Sequence, residues 1–168
     1  MRDEALMLAF QRGSREAFDE LFERYKQPLY AYFRRRLTDR ERAEDLTQET
    51  FLAVLRARER YEPRASVRTY LYGIAVKLLA AERRKPVPAE SPVEWACEPR
   101  PDETLWVRQA LERLEPIERE VLMLREYEQL SYAEISALLE IPLNTTRTRL
   151  FRARMALKTH LEPASNEA

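Results

Sequence analysis

Residues 130–154 read Leu130-Ser131-Tyr132-Ala133-Glu134-Ile135-Ser136-Ala137-Leu138-Leu139-Glu140-Ile141-Pro142-Leu143-Asn144-Thr145-Thr146-Arg147-Thr148-Arg149-Leu150-Phe151-Arg152-Ala153-Arg154. Ser131 followed three residues later by Glu134 is a capping box that opens a short helix to about Leu139. Four residues, Glu140 to Leu143, carry a proline and leave room only for a tight turn. Asn144 is the expected N-cap of a second helix that runs to about Leu161. Two capped helices joined by so short a turn are a helix-turn-helix. Ala133, Ile135 and Leu138 are expected to face inward, with Ile141 and Leu150 packing beneath the second helix.

The second helix is basic. Arg147, Arg149, Arg152, Arg154 and Lys158 fall within twelve residues with no acidic residue among them. Thr145, Thr146 and Thr148 put small hydroxyls near its start. Hydroxyls and helix amides suit phosphates, and arginine forks suit guanine edges or the backbone. A solvated basic helix in a bundle is the bland alternative, but such faces usually mix charge signs.

Working outward, the chain has 168 residues and two glycines. Glycine averages about 7% of a protein, so folds built on many tight turns are disfavoured and an all-α fold is expected. Charged residues make up 35% and the hydrophobic set 45%, a balance that suits solvated helices with one buried face. No run of 18 apolar residues is present, and the acidic opening Met1-Arg2-Asp3-Glu4, without an apolar core, is not expected to act as a secretion signal. A cytoplasmic protein is expected. Cys97 and His160 are single, so neither a disulfide framework nor a cysteine–histidine metal site is expected, and no cofactor.

Net charge is zero but unevenly spread. Residues 1–85 carry 19 basic and 14 acidic side chains, and 141–168 carry 5 and 2, while the residues between are acidic. Five prolines lie between Pro86 and Pro101. They imply an acidic linker over 86–102 between a helical domain at 1–85 and a second at 103–168. A loop within one compact domain is the competing reading, disfavoured by its length.

The N-terminal half predicts four helices, 3–12, 15–37, 38–60 and 66–84. Pro28 should kink the second, and Thr38 with Glu41 should cap the third. Ala17, Phe18, Leu21, Phe22, Tyr25, Leu29, Tyr30 and Phe33 mark the apolar face of the second. Leu46, Phe51, Val54 and Leu55 mark that of the third, and Val67, Leu71, Ile74 and Leu78 that of the fourth. The C-terminal half predicts helices at 103–113 and 117–127 ahead of the helix-turn-helix, with Pro116 in the first turn of the latter.

Two further stretches bear on function. From Tyr61 to Lys85, aromatic rings and cations interleave: Tyr61, Arg64, Arg68, Tyr70, Tyr72, Lys77, then Arg83-Arg84-Lys85. Rings that stack on bases beside cations that hold phosphates suit single-stranded nucleic acid. The competing reading makes the tyrosines core and rim residues, with one of Tyr70 and Tyr72 at the surface. Glu44-Asp45-Leu46-Thr47-Gln48-Glu49 puts carboxylates and an amide on neighbouring helical positions. With no histidine nearby, a solvated or protein-docking face is favoured over acid–base or metal chemistry.

These stretches, in this order, resemble the extracytoplasmic-function group of bacterial RNA polymerase sigma factors. Ser14-Arg15-Glu16-Ala17-Phe18, the segment Ala43 to Phe51 and residues 67–76 resemble the group's region two. Residues 114–127, Leu130 to Ile135 and Arg147 to Arg154 resemble its region four. The resemblance implies a non-catalytic subunit that directs RNA polymerase core to promoters and helps melt them. It assigns Asp45, Leu46, Gln48 and Glu49 to docking on the clamp coiled coil of the largest polymerase subunit. Tyr61, Arg64, Ser66, Arg68, Tyr70 and Lys77 are assigned to the single-stranded minus-ten element. Arg147, Thr148, Arg149, Phe151, Arg152 and Arg154 are assigned to the duplex minus-thirty-five element. Region four is expected on the flap of the second-largest subunit, and an anti-sigma factor is a further possible partner.

The sequence departs from the family pattern at five places. Tyr70 replaces a usual Trp, Lys77 an Asn, Gly73 an Arg, and Glu140 the glycine of the turn. If the turn needs positive φ, Glu140 is strained. Asn144 replaces a second glycine and is acceptable as a cap. The rival readings are a free-standing helix-turn-helix regulator that binds duplex DNA without polymerase and an enzyme acting through Glu44, Asp45 and Glu49. The first leaves the docking face and the basic aromatic helix unexplained.

Overall fold

The computed structural model describes residues 1–86 and 105–162. Eight α-helices form among them, with one 3-10 turn and no strand. They fall into two compact units, Met1–Glu94 and Trp95–Ala168. Apart from Pro86, the expected linker lies outside the described residues, as does Cys97.

The first unit contains α1 (Asp3–Gln11), α2 (Arg15–Arg36), α3 (Arg40–Arg56), the 3-10 turn Arg58–Arg60, and α4 (Val67–Arg84). Gly13, at φ 107°, stops α1 in a conformation that a side chain would resist. The Ser14 side chain then caps α2 by accepting the Ala17 N–H at 3.2 Å. Pro28 lies on the solvent side of α2, which runs as one helix of 22 residues through it. The buried stripe of α2 is Ala17, Leu21, Tyr25, Leu29, Tyr32 and Phe33, so Tyr32 takes the inward place expected of Tyr30.

The cap of α3 is Asp39, not Thr38. Its carboxylate accepts the N–H groups of Glu41 (2.9 Å) and Arg42 (3.4 Å). A carboxylate one residue later reaches the same free amides and adds a favourable charge at the helix start. The helix also ends earlier than expected, at Arg56. Its inward stripe is Ala43, Leu46, Thr47, Thr50, Phe51 and Val54. Leu55 falls one position past this stripe and is exposed. On α4 the buried residues are Val67, Leu71, Tyr72, Ala75 and Leu79. Ile74 and Leu78 therefore sit at the edge of that face rather than at its centre.

A polar tie joins α3 to α4. Arg42 meets the Glu82 carboxylate through two N–H groups, at 2.8 and 2.6 Å, and reaches Asp45 at 3.0 Å. Charge-assisted bonds from that planar fork, with Lys85 adding a contact at 3.2 Å, hold the Glu82 carboxyl down at about 2.

The second unit contains α5 (Leu105–Glu112), α6 (Pro116–Glu126), α7 (Tyr132–Leu139) and α8 (Leu143–Leu161). Pro116 occupies the first turn of α6, where its missing N–H costs nothing. The Ser131–Glu134 capping box forms in both directions, at 3.1 Å each way. Val121, Leu124, Leu130, Ile135, Leu150 and Ala153 make the driest part of the core. Ala133 is exposed rather than inward, because Ile135 alone turns α7 fully into that core.

The turn shows the expected strain. Glu140 stands in the left-handed region, at φ 56° and ψ 44°. Pro142 then enters α8 from an extended conformation that its ring already favours. Asn144 is therefore inside the first turn and is not the cap, and its carbonyl accepts the Thr148 hydroxyl at 2.9 Å.

Candidate nucleic-acid interface

At about 100° per residue, the buried stripe of α8 is Thr146, Leu150 and Ala153. Arg149 and Arg154 flank that stripe, and both fold back onto acidic residues of their own unit. Arg149 lies 3.3 Å from Glu115 and 3.6 Å from Glu118, and Arg154 lies 3.0 Å from Glu126. The acidic partners missing from α8 itself are thus supplied by α6 and the residue before it.

The side turned to solvent, which begins at the edge where Arg147 and Arg154 stand seven residues apart, is different. Arg147, Thr148, Phe151, Arg152 and Met155 are exposed along one side. Arg147 and Arg152 make no hydrogen bond or ion pair among the described residues. Between them stands Phe151, 65% exposed, with Met155 one turn on. A large ring left in water between two unpaired arginines forms a surface suited to base edges and phosphates. Thr146, one of the three expected surface hydroxyls, is instead completely buried and bonded to Ser136 at 2.7 Å.

In the first unit, Tyr70, Gly73, Lys77 and Arg84 share one face of α4, with Tyr70, Lys77 and Arg84 recurring every seventh residue. Lys77 and Arg84 are exposed and Tyr70 is half-buried, its ring edge-on to Tyr61 at 5.0 Å. Burial raises the Tyr70 and Tyr61 phenols above their ordinary value, so both stay protonated. Tyr61 is buried, and its hydroxyl has no hydrogen-bond partner. Tyr72 is buried against Tyr32, so of the pair 70 and 72 it is Tyr70 that reaches the surface. Arg68 lies on the opposite side of α4 from Tyr70, on the side of the buried Tyr25.

The loop at 62–66 leads into this face. Ser66 caps α4 by accepting the Thr69 N–H at 3.1 Å. Arg64 is almost fully exposed and pairs with Glu62 at 2.6 Å. Arg64, Tyr70 and Lys77 are therefore presented outward, whereas Tyr61 and Ser66 are engaged in the structure beneath them.

On α3, Asp45, Gln48 and Glu49 are exposed on one face and Leu46 is core. The same face carries Leu52 and Leu55, 44% and 43% exposed. Sequence reading missed Leu52 and placed Leu55 inside. The signal was present, since Leu52 follows Asp45 by seven residues and Gln48 by four. Apolar side chains rimmed by acids and an amide have the make-up of a protein-docking patch. In the second unit, a groove between α6 and α8 is lined by Leu122, Leu157 and Leu161 and rimmed by Glu126, Arg154 and Lys158. Among the described residues no group of three acidic, cysteine or histidine side chains could hold a metal, and no helix is long and apolar enough to cross a membrane.

Comparison with known proteins bears on both units. The family model for Sigma-70 region 2 matches residues 21–86, and that for Sigma-70, region 4 matches residues 104–157. The RNA polymerase sigma-H factor of Pseudomonas aeruginosa is 31% identical over 99% of this chain and 97% of its own length. The chain belongs to the sigma-70 family. The sigma factor YlaC of Bacillus subtilis is 32% identical over 91% of this chain and 96% of its own. The extracytoplasmic-function sigma-E factor of Escherichia coli is 30% identical over 97% and 96%. These relatives place this sigma factor in the extracytoplasmic-function group. Its fold matches that of CnrH, solved with the cytosolic domain of CnrY, at a TM-score of 0.76 and 24% identity over 95% of this chain and 96% of that one. Region 2 of this sigma factor carries the α3 patch and the α4 face, and region 4 carries the helix-turn-helix. Sigma factors of this kind direct RNA polymerase to promoters, with regions 2 and 4 binding core enzyme and DNA.

Proposed function

We propose that this sigma factor is a non-catalytic initiation subunit whose three exposed faces divide the work. The α3 face, Asp45, Gln48 and Glu49 with Leu52 and Leu55, docks on the clamp coiled coil of the polymerase largest subunit. The loop at 62–66 and the Tyr70–Lys77–Arg84 face hold the unpaired minus-ten strand, with the Tyr61 ring packing behind Tyr70. The outward face of α8 reads minus-thirty-five duplex, led by Arg147, Thr148, Phe151 and Arg152. Arg149 and Arg154 reach phosphate only by exchanging their carboxylates. The groove between α6 and α8 takes the flap of the second-largest subunit. The division into region 2, linker and region 4 follows 1–85, 86–102 and 103–168, and the protein works in the bacterial cytoplasm with its polymerase. An anti-sigma partner belongs to the same reading.

The observation that carries it is that Arg147 and Arg152, on either side of an exposed Phe151, are unpaired among the described residues. A large exposed ring flanked by solvated cations marks an interaction surface, and the cations suit it to a polyanion.

Gel filtration of the purified protein with bacterial core polymerase, followed by run-off transcription on a genomic fragment library, tests this reading. Co-elution with promoter-specific transcripts is expected, and Asp45→Ala should weaken co-elution. Duplex DNA bound by the protein alone, with no co-elution, would overturn it in favour of a free-standing regulator.

A further inference from the structure

Both legs of the 62–66 loop are tied to α1. The Gln11 side-chain amide donates to the carbonyls of Arg58 at 3.2 Å and Tyr61 at 2.9 Å. The Arg58 guanidinium lies over the Phe10 ring, 5.8 Å from its centre. On the other leg, Glu4 Oε1 accepts the backbone N–H of Val67, the first residue of α4, at 3.4 Å. Glu4 and Gln11 are seven residues apart and share a face of α1, which sets the two ties about 10 Å apart. Between them residues 62–65 are exposed, and their bonds are local: the Arg64 N–H to the Glu62 carbonyl at 2.8 Å, and the Arg64–Glu62 ion pair.

Packing does not require these ties. Leu6, Met7 and Phe10 already seat α1 in the core. The Gln11 amide adds something that packing cannot, because it fixes the carbonyls of Arg58 and Tyr61 on the near leg of the loop. A loop held open at fixed width does not have to be ordered when a strand arrives, and that saving appears as affinity.

We infer that α1 is a splint for the strand-binding loop, with Gln11 and Glu4 as positioning residues for promoter melting. This rests on reading the 62–66 loop as part of the minus-ten site. The two ties work on the loop from behind and touch no DNA.

The test uses holoenzyme reconstituted from core polymerase and full-length chain. The probe is a fluorescent single strand carrying the non-template minus-ten sequence of a promoter that wild type transcribes. Gln11→Glu keeps the shape but removes both donors, and should weaken strand binding roughly tenfold, as expected for two partly buried hydrogen bonds. Gln11→Lys, which can donate to both carbonyls, should restore most of it. Core affinity should stay near wild type for both variants, and the thermal midpoint of Gln11→Glu should fall by only a few degrees, so that the folded fraction at the assay temperature is unchanged. Wild-type strand binding by Gln11→Glu would overturn the splint. If Gln11→Glu fails to fold, Gln11→Met replaces it, and strand binding lost only in step with thermal stability would also overturn the splint. Failure of wild-type holoenzyme to bind the strand would instead overturn the minus-ten reading beneath it.

Discussion

The hydroxyls of Thr146 and Ser136 meet at 2.7 Å where α7 and α8 pack, with Thr146 wholly buried. Ser136 already spends its one proton on the Tyr132 carbonyl at 2.8 Å. Thr146 must therefore be the donor between them, and a directed chain runs from α8 through Ser136 into the first turn of α7. Thr146→Val keeps the shape and removes the donor. It should cost about 1–2 kcal/mol in chemical denaturation and weaken minus-thirty-five binding, because α8 loses its polar register on α7. An unchanged denaturation midpoint would show that packing alone sets that register.

The arginines of α8 should separate into two classes. Arg152→Ala should cost about 1–3 kcal/mol in holoenzyme affinity for minus-thirty-five duplex and leave folding stability nearly untouched. Arg154→Ala should cost DNA binding less, since its guanidinium is already held by Glu126. Fluorescence anisotropy with both variants checks the order. Equal losses would mean that the Arg154–Glu126 pair opens freely on DNA.

Glu140→Gly should stabilise the protein by up to about 1 kcal/mol. Relief of a left-handed side-chain clash, about 1–2 kcal/mol, is partly offset by the greater freedom of glycine in the unfolded chain. Calorimetry decides the sign, and a lower melting temperature would place a compensating role on the Glu140 side chain.

Glu82 makes acid stability testable. Its carboxyl is held at about 2 by Arg42, against an ordinary 4.5. A depressed carboxylate contributes fully above the unfolded value, and the contribution fades as pH falls from about 4.5 toward 2. Glu82→Gln should therefore be less stable than wild type by about 1–2 kcal/mol at pH 7, allowing for the partial exposure of Arg42. The two proteins should converge near pH 2. Parallel curves across that range would remove the ion pair from the acid limb.

Much of this was legible in the sequence. The Ser131–Glu134 box, Pro116 and the Pro142 turn placed three helices of region 4 almost to the residue, because each device acts within one helical turn. Local signals failed where neighbouring residues offered the same chemistry. Thr38 and Asp39 both can cap, and only the backbone path chose Asp39; Pro142 likewise displaced Asn144. Faces were harder. Leu55 and Ala133 looked inward by type, but one residue of phase decides exposure on a helix, and phase depends on what packs opposite. The pairing of Arg149 and Arg154 with α6 and the residue before it joins parts of the chain 28 to 34 residues apart, beyond the reach of any local pattern. The ties from α1 to the 62–66 loop span 47 to 63 residues and were invisible for the same reason.

The two pairs on α8 also bear on how ionic strength governs promoter choice. A cation that arrives bare neutralises a phosphate and expels a condensed counterion. One that must first leave a carboxylate uncovers a negative charge as it does so, and the net release falls. The logarithm of affinity falls by about 0.9 per bare cation for each unit of log salt on duplex DNA. The α8 contribution to that slope should accordingly approach the value for two arginines, Arg147 and Arg152, rather than four. Binding through this helix would then persist into salt concentrations at which four unpaired arginines would have lost most of their hold.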